Sequence, residues 1–306
     1  MTSFDVITFG SGLVDIFLSS SEFKLLSDSG GVSLCGSYGS KLEVDQRVIS
    51  SGGGGTNTAV SFSRLGLKSA VVCRLGNDLL ADLVIQQLVE EGVSIEMVFQ
   101  ADEETDSSVV LLGPDGGRTV LVYRGQTRLG IDNINLEKLS ASWFYLASLE
   151  GNLDLVERLF AFGKEKKIRL AWNPGKKELV DANRVKGLVS GIDVLLLNRQ
   201  EAEELLGAGL ETSSFWSELG SLGANYSVVT DGRQGAYLYF DGEKHFLPAP
   251  AVNSVDETGA GDAFGSGFVA GLIKGMDWKQ SLDLAMANGA AVVIKIGAKT
   301  GLINHA

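Results

Sequence analysis

The sequence predicts an α/β fold: a doubly wound, mostly parallel sheet flanked by helices, with a small lid of β-strands beside it. Three observations lead there. Short apolar runs that read as buried strands alternate with amphipathic helical runs along most of the 306 residues. Two stretches, residues 32–50 and 96–125, interrupt that alternation with strands of their own. Glycine clusters at Gly52–Gly55 and Gly259–Gly261 stand directly before helical runs, where open α/β sheets bind ligands at the carboxyl ends of their strands.

In chain order, Val6-Ile7-Thr8-Phe9-Gly10 reads as a first buried strand, and Thr56 to Leu65 has helical spacing stopped by Gly66. Ala70 to Leu75 is a second strand, followed by an amphipathic helix from Leu79 to Glu91 closed by Gly92. The unit recurs as Trp143 to Ala147 then Leu153 to Lys164, as Ile168 to Trp172, as Val194 to Leu197 then Glu201 to Leu206, and as Tyr226 to Thr230. Between these, Lys41 to Asp45 and Ser108 to Leu112 alternate as strands, and a Gly113-Pro114-Asp115-Gly116-Gly117 turn leads into Thr119 to Tyr123. One domain over residues 1–306 is expected, with lid segments at about 13–52 and 96–128 inserted in the α/β core.

Composition narrows the function. A formal net charge of −12 and an aromatic content of 8% disfavour nucleic acid and anionic membranes as partners. Cys35 and Cys73 form neither a disulfide framework nor a metal-ligand pattern, so a cytoplasmic location and a packing role for both are expected. The N-terminus has no basic stretch leading into an apolar one, and no segment reaches the roughly 20 apolar residues of a membrane span.

Chemistry concentrates in Asp256-Glu257-Thr258-Gly259-Ala260-Gly261-Asp262-Ala263-Phe264, two acids around a run of small residues at a helix start. Glycines allow a tight turn whose amide N–H groups, with the helix dipole, favour an anion such as phosphate. Asp262 would then stand beside that anion hole, placed to accept a proton from an attacking hydroxyl. On these residues alone, Gly-Ala-Gly is equally a device for close helix packing and Asp262 a helix cap. The second cluster, Gly52-Gly53-Gly54-Gly55-Thr56-Asn57-Thr58-Ala59, suits close approach of a hydroxylated ligand, with Asn57 as donor and acceptor, or else a loop capped by Asn57.

Taken together and in this order, the two clusters resemble the N-terminal and C-terminal signatures of the ribokinase-like, or PfkB, family of carbohydrate and nucleoside kinases. The resemblance covers nearly the whole chain, with lesser matches at Gly10-Ser11-Gly12-Leu13-Val14-Asp15, Gly76-Asn77-Asp78, Asn198-Arg199-Gln200-Glu201 and Thr230 to Gly235. It implies an ATP-dependent phosphotransferase acting on an alcohol group, in which Asp262 is the catalytic base and the amides of Gly259, Ala260 and Gly261 form the anion hole. Asp15, Gly53, Asn57 and Glu150 fall where such enzymes hold sugar hydroxyls. Asn198 and Glu201 match an Asn-x-x-Glu element that organises Mg2+ and its waters, a spacing that without the resemblance reads as a capping box. Thr230, Gly232 and Gly235 match a nucleotide-binding loop, Gly261 adds to the nucleotide phosphates, and Asn288 matches a position near adenine. Asp256 and Thr258 match positions that supply oxygens to K+, although Glu257 replaces the Thr common between them.

The substrate expected is a small neutral sugar, ribose- or fructose-like, with a nucleoside as the alternative. Gly54 stands where several relatives have Lys, and Gly175 where keto-deoxy-sugar-acid kinases have Arg, which weighs against an anionic substituent. Arg118, Arg124 and Arg128 remain candidates for such a group, and Tyr38, Tyr123 and Trp172 for stacking on a sugar or base. A catalytically inactive sugar-binding regulator is disfavoured by the intact Asp262, Gly259, Gly261, Asn198 and Glu201. A Rossmann dehydrogenase is disfavoured because Gly10-Ser11-Gly12 lacks the third spaced glycine. Exposed lid edges make a homodimer paired through the lid an expectation.

Overall fold

The computed structural model describes residues 3–28, 31–115 and 117–304; Met1, Thr2 and Gly116 of the sequence reading lie outside them. Strand β1 (Phe4–Phe9) opens the main sheet, and the chain then leaves it for β2 (Leu13–Ser19), the hairpin β3 (Lys24–Asp28) and β4 (Gly31–Cys35), and β5 (Gln46–Gly52). It returns through α1 (Gly54–Arg64), β6 (Ser69–Leu75), α2 (Leu79–Glu90) and β7 (Val98–Gln100), and leaves again for β8 (Ser107–Leu112) and β9 (Arg118–Tyr123). From β10 (Ala141–Leu146) the strand-helix alternation is regular: α3 (Leu153–Lys166), β11 (Arg169–Trp172), α4 (Lys176–Leu179), α5 (Ala182–Val189), β12 (Val194–Asn198), α6 (Arg199–Leu206), α7 (Ser213–Ser221) and β13 (Tyr226–Thr230). The antiparallel strands β14 (Gly235–Phe240) and β15 (Glu243–Pro248) precede the final helices α8 (Ala260–Ile273) and α9 (Trp278–Val293).

Nine strands form the main sheet in the order β15-β14-β13-β12-β11-β10-β1-β6-β7, parallel except at β14 and β15. Helices cover both faces. On β1, Ile7 and Phe9 enter the core beneath α3, α5, α6 and α7, whereas Val6 enters the core beneath α8. On β10, Phe144 and Leu146 divide from Trp143 and Tyr145 in the same way. Burial on both faces explains why these strands read as continuous apolar runs rather than alternating ones. Trp172 is wholly buried, edge-on to Phe160 with ring centroids 5.4 Å apart, so it is a core residue and not a platform for substrate. Cys73 is buried as well.

The second sheet has four strands in the order β5-β2-β8-β9. It differs from the sequence expectation in two places. Lys41 to Asp45 is irregular: the β2–β5 ladder begins at Ser19 opposite Gln46, because the Asp45 N–H donates to Ser19 O at 2.9 Å and the Ser20 hydroxyl to Glu43 O at 2.6 Å, turning the chain there. Residues 98–100, expected in the lid, pair in parallel with β6 as the edge of the main sheet, so the second sheet resumes only at Ser107. Its inner face buries Phe17, Val110 and Leu112 against Ile296 of the C-terminal loop. No helix among the described residues is long and apolar enough to cross a membrane.

Candidate active site

Every parallel strand of the main sheet ends on the same edge, and the candidate residues gather there. The β12–β13 register sets Asn198 opposite Thr230 at two adjacent strand ends. Gly259, with φ of 78°, is the left-handed residue before α8. A Cβ on Gly259 would lie 2.5 Å from the Ala298 Cβ, so both conformation and packing demand glycine. Gly261, one residue into α8, is exposed and has open space around it. The helix start thus offers first-turn amides to a shared cleft lined by Asn173, Asn198, Glu201, Thr230, Gly259, Gly261 and Asp262.

Asp262 projects from the first turn of α8 and accepts a hydrogen bond from Asn57 Nδ2 at 2.8 Å. That contact joins α8 to the first turn of α1 across 205 residues of sequence. Burial pushes the Asp262 carboxyl above its usual range, opposed by the Asn57 bond and by the charge of Lys299, and reinforced by Asp15. The amide oxygen of Asn57, Oδ1, is buried without a partner among the described residues.

The four-glycine loop is shaped by contact as much as by flexibility. Gly53 has φ of 95°, and a Cβ there would fall 2.4 Å from Ser11 O. A Cβ on Gly52 would fall 1.9 Å from Asp15 Oδ2, and one on Gly54 would meet the Ala147 Cβ at 2.8 Å and Asp262 Oδ1 at 3.5 Å. Lysine at position 54 would therefore start against Ala147 and beside Asp262. Asp15 lies mid-strand in β2, between Ser50 and Ser108 in register, and accepts a hydrogen bond from the Ser108 hydroxyl. Burial raises its carboxyl too, against the lowering effects of Ser108, Lys299 and Arg124.

A second cleft adjoins the first through Ser148 and is lined by Gly10, Ser11, Gly12, Glu150, Arg124, Arg128 and Lys177. Glu150, with φ of 59°, is paired with Arg124 at 3.5 Å and with Lys177. Arg124 also meets Asp106 at 3.1 Å. The loop carrying Glu150 hangs on Glu178, a buried acid that accepts from Leu149 N at 2.6 Å, Gly151 N at 3.1 Å and Gly175 N at 2.9 Å. Sequence reasoning missed Glu178, Asp106, Ser108 and Lys299; of these only Lys299, a charge within Gly297-Ala298-Lys299-Thr300-Gly301, stood out from its surroundings.

Several expected residues stand differently from the expectation. Asn288 is wholly buried, donating to Ser61 Oγ at 3.0 Å and Ala263 O at 2.8 Å and accepting from Ile303 N at 3.1 Å, so it locks α9 to α1 and α8 rather than facing adenine. Gly235 is buried where a Cβ would strike Leu247 O at 2.1 Å, which makes it a packing glycine of the β14–β15 pair; Gly232 is exposed with open space around it. Asp256 is buried and committed to the turn: Oδ1 accepts from Thr258 N at 3.0 Å and Thr258 Oγ1 at 2.6 Å, Oδ2 accepts from Gly297 N at 2.9 Å, and Arg118 of β9 stands 4.0 Å away. Its carboxylate already has its donors and a cation, which does not fit a potassium ligand. Asn198 and Glu201 do form a capping box, Asn198 Oδ1 to Glu201 N at 2.8 Å and Glu201 Oε2 to Asn198 N at 2.9 Å. The box uses one lone pair of Asn198 Oδ1 and one of the two Glu201 carboxylate oxygens, and holds both residues at the cleft. Burial raises the Glu201 carboxyl, against lowering by Asn198 and Lys176.

The comparisons with known proteins bear on the family and the fold. A family model for pfkB family carbohydrate kinases matches residues 24–304. An ATP-dependent 6-phosphofructokinase of Thermoanaerobacterium thermosaccharolyticum is 28% identical over 310 residues, covering 96% of this chain and 89% of that protein. A ribokinase of Staphylococcus aureus is 25% identical over 97% of this chain and 96% of its own length. Among solved structures, a putative ribokinase II from E. coli in complex with ATP and Mg2+ has the same fold, with a TM-score of 0.81 at 23% identity over 98% of this chain and 96% of that one. With both glycine signatures in place and the family model spanning almost the full length, this chain belongs to the pfkB family of carbohydrate kinases, phosphotransferases with an alcohol group as acceptor.

Proposed function

We propose that the protein transfers the γ-phosphoryl group of ATP to a hydroxyl of a small sugar, ribose- or fructose-like. The observation that carries this is the pairing of Asp262 with Asn57 Nδ2 at 2.8 Å beside the exposed start of α8, with the amide oxygen of Asn57, Oδ1, buried and without a partner among the described residues. A sugar hydroxyl donating to that oxygen would satisfy it and bring a neighbouring hydroxyl to Asp262. Asp262 accepts the hydroxyl proton as general base, and its raised affinity for protons suits that task. The amides of Gly259, Ala260 and Gly261 offset charge developing on the transferred group. Asp15, Gly53 and Asn57 hold the sugar from the loop and the second sheet, with Glu150 at the rim.

On the nucleotide side, Thr230, Gly232 and Gly261 border the phosphates. Among the described residues no group of three or more acidic, His or Cys side chains forms a metal cluster, whereas Glu201 keeps its second carboxylate oxygen and Asn198 Oδ1 its second lone pair at the cleft, a light donor set that fits Mg2+ retaining its waters. When bound there, Mg2+ neutralises phosphate charge. Potassium has no part in the proposal, given how Asp256 is engaged.

A sugar bearing an anionic substituent is the second reading. Arg124, Arg128 and Lys177 set three cations against Asp106 and Glu150 in the adjoining cleft, and a 28% identical relative is a 6-phosphofructokinase. ATP consumption measured against pentoses, hexoses, their phosphates and nucleosides distinguishes the two: turnover with neutral sugars supports the first, turnover confined to sugar phosphates the second, and turnover with none refutes both. The exposed edge strand β9, with Val120, Leu121, Val122 and Tyr123 all in solvent, supports pairing of two copies through the second sheet.

A further inference from the structure

Lys299 lies in the loop after α9 and is buried, with 7% of its surface exposed, yet among the described residues no carboxylate pairs with its ammonium. Instead Nζ donates to three neutral oxygens: Ser51 O at 2.7 Å, Ser51 Oγ at 2.9 Å and Thr56 Oγ1 at 2.9 Å. Those acceptors flank Gly52–Gly55, so one side chain fastens both ends of the glycine loop. Thr56 passes the contact on by donating to Gly52 O at 2.7 Å. The backbone of Lys299 is gripped in turn: Arg64, at the end of α1, donates to Lys299 O at 2.7 Å while paired with Glu91 at 2.5 Å. Helix α1 thus meets the same lysine at its start through Thr56 and at its end through Arg64.

The charged and titratable groups facing this ammonium are Asp15 from β2, Asp262 from α8, Glu91 after α2 and Cys73 from β6. Its effect on both site acids is to hold them lower than burial alone would. Burial pushes the ammonium itself down to about 7, with Asp15 and Asp262 opposing. It is therefore charged on the acid side of that value. Desolvating a lysine without a contacting counter-ion disfavours folding, and among the described residues every hydrogen bond of Nζ goes to the substrate loop.

Resting on the assignment of Asp262 as the base, we infer that Lys299 is a positioning residue for phosphoryl transfer: its ammonium staples both ends of the glycine loop that holds the sugar, and its positive charge favours the ionised forms of Asp262 and Asp15. The two roles separate in two variants. Lys299→Gln retains a neutral donor to the loop and removes the charge; removing a cation near Asp262 raises that carboxyl, so the acid limb of kcat/KM moves to higher pH by about one unit while the sugar KM stays within about threefold. Lys299→Met removes both, shifts the limb equally and raises the sugar KM by roughly tenfold or more, with nucleotide KM little changed. Lys299→Arg, which stays charged, returns the limb toward that of wild type.

The experiment is steady-state kinetics on the full chain from pH 5 to 9, with thermal unfolding of each variant. A loss of activity uniform across pH, or an acid limb in Lys299→Gln that coincides with wild type, overturns the inference. Absence of kinase activity in wild type, or full activity in Asp262→Asn, counts against the proposed function itself.

Discussion

Asp262 and Asn57 hold each other across the cleft at 2.8 Å, and a charged hydrogen bond of that kind is worth about 1.5–3 kcal/mol. Asp262→Asn keeps the shape and removes the base. Turnover should fall by about 100-fold to 10,000-fold with nucleotide affinity within a few-fold, measured by steady-state kinetics and calorimetry. Because burial raises the Asp262 carboxyl above the ordinary aspartate range, kcat/KM should decline as pH falls through that raised value, above the usual carboxylate pH. The same shift has a stability consequence of opposite sense. A group that binds protons more tightly when folded contributes stability at low pH that is lost as pH rises through its folded value. At neutral pH, Asp262→Asn should therefore melt no lower than wild type. Asp262, Asn57 and Gly53 were legible in the sequence because small residues and acids at helix starts are local patterns. Glu178 and Lys299 were not: beyond the Gly175 N–H three residues back, Glu178 acts on backbone amides 27 and 29 residues away, and Lys299 on oxygens 243 and 248 residues away, so no spacing marks those contacts. Asn288 was misread for the same reason, since its partners lie on other elements.

At the level of elements, α8 carries the chemistry and its glycines divide by job. Gly259 has φ of 78° and would drive a Cβ against Ala298, so Gly259→Ala should lower stability by about 2 kcal/mol or more, read by urea unfolding. Gly261 sits in helical conformation with open space, so Gly261→Ala should leave stability unchanged or raise it by about 0.5–1 kcal/mol, while the added methyl crowds the anion hole and lowers kcat. Opposite signs in stability from two substitutions two residues apart would distinguish a turn glycine from a cleft glycine. The parallel strands and the helices between them were readable because burial on both faces makes uninterrupted apolar runs. The second sheet was only half readable. Its β8–β9 hairpin was readable from the Gly113–Gly117 turn, whereas β2 and β5 were not picked out as strands; in the main sheet, β15 alternates exposed and half-exposed positions without a buried one, so it has no core to pattern against. Lys41 to Asp45 alternates like a strand but lies beyond the ladder, whose register is set at Ser19 and Gln46.

At the scale of the whole molecule, the second sheet meets the body through Asp15 near the glycine loop, through Phe17, Val110 and Leu112 on Ile296, and through Arg118 near Asp256. Sugar held at Asp15 and Asn57 should rigidify that junction, seen as slower amide exchange in residues 107–112 when sugar and nucleotide are both present. Pairing of two copies along β9 predicts a dimer in light scattering that Leu121→Lys or Val122→Lys converts to monomer by charging the edge. The central claim is that this arrangement moves phosphate from ATP to a sugar hydroxyl with Asp262 as the base. The most direct measurement incubates wild type and Asp262→Asn with ATP, Mg2+ and a panel of sugars, following ADP and the mass of the sugar product together. The expected result is ADP and a singly phosphorylated sugar in equal amounts from wild type and almost none from the variant; wild-type turnover of no sugar in the panel, or equal product from both proteins, would contradict it.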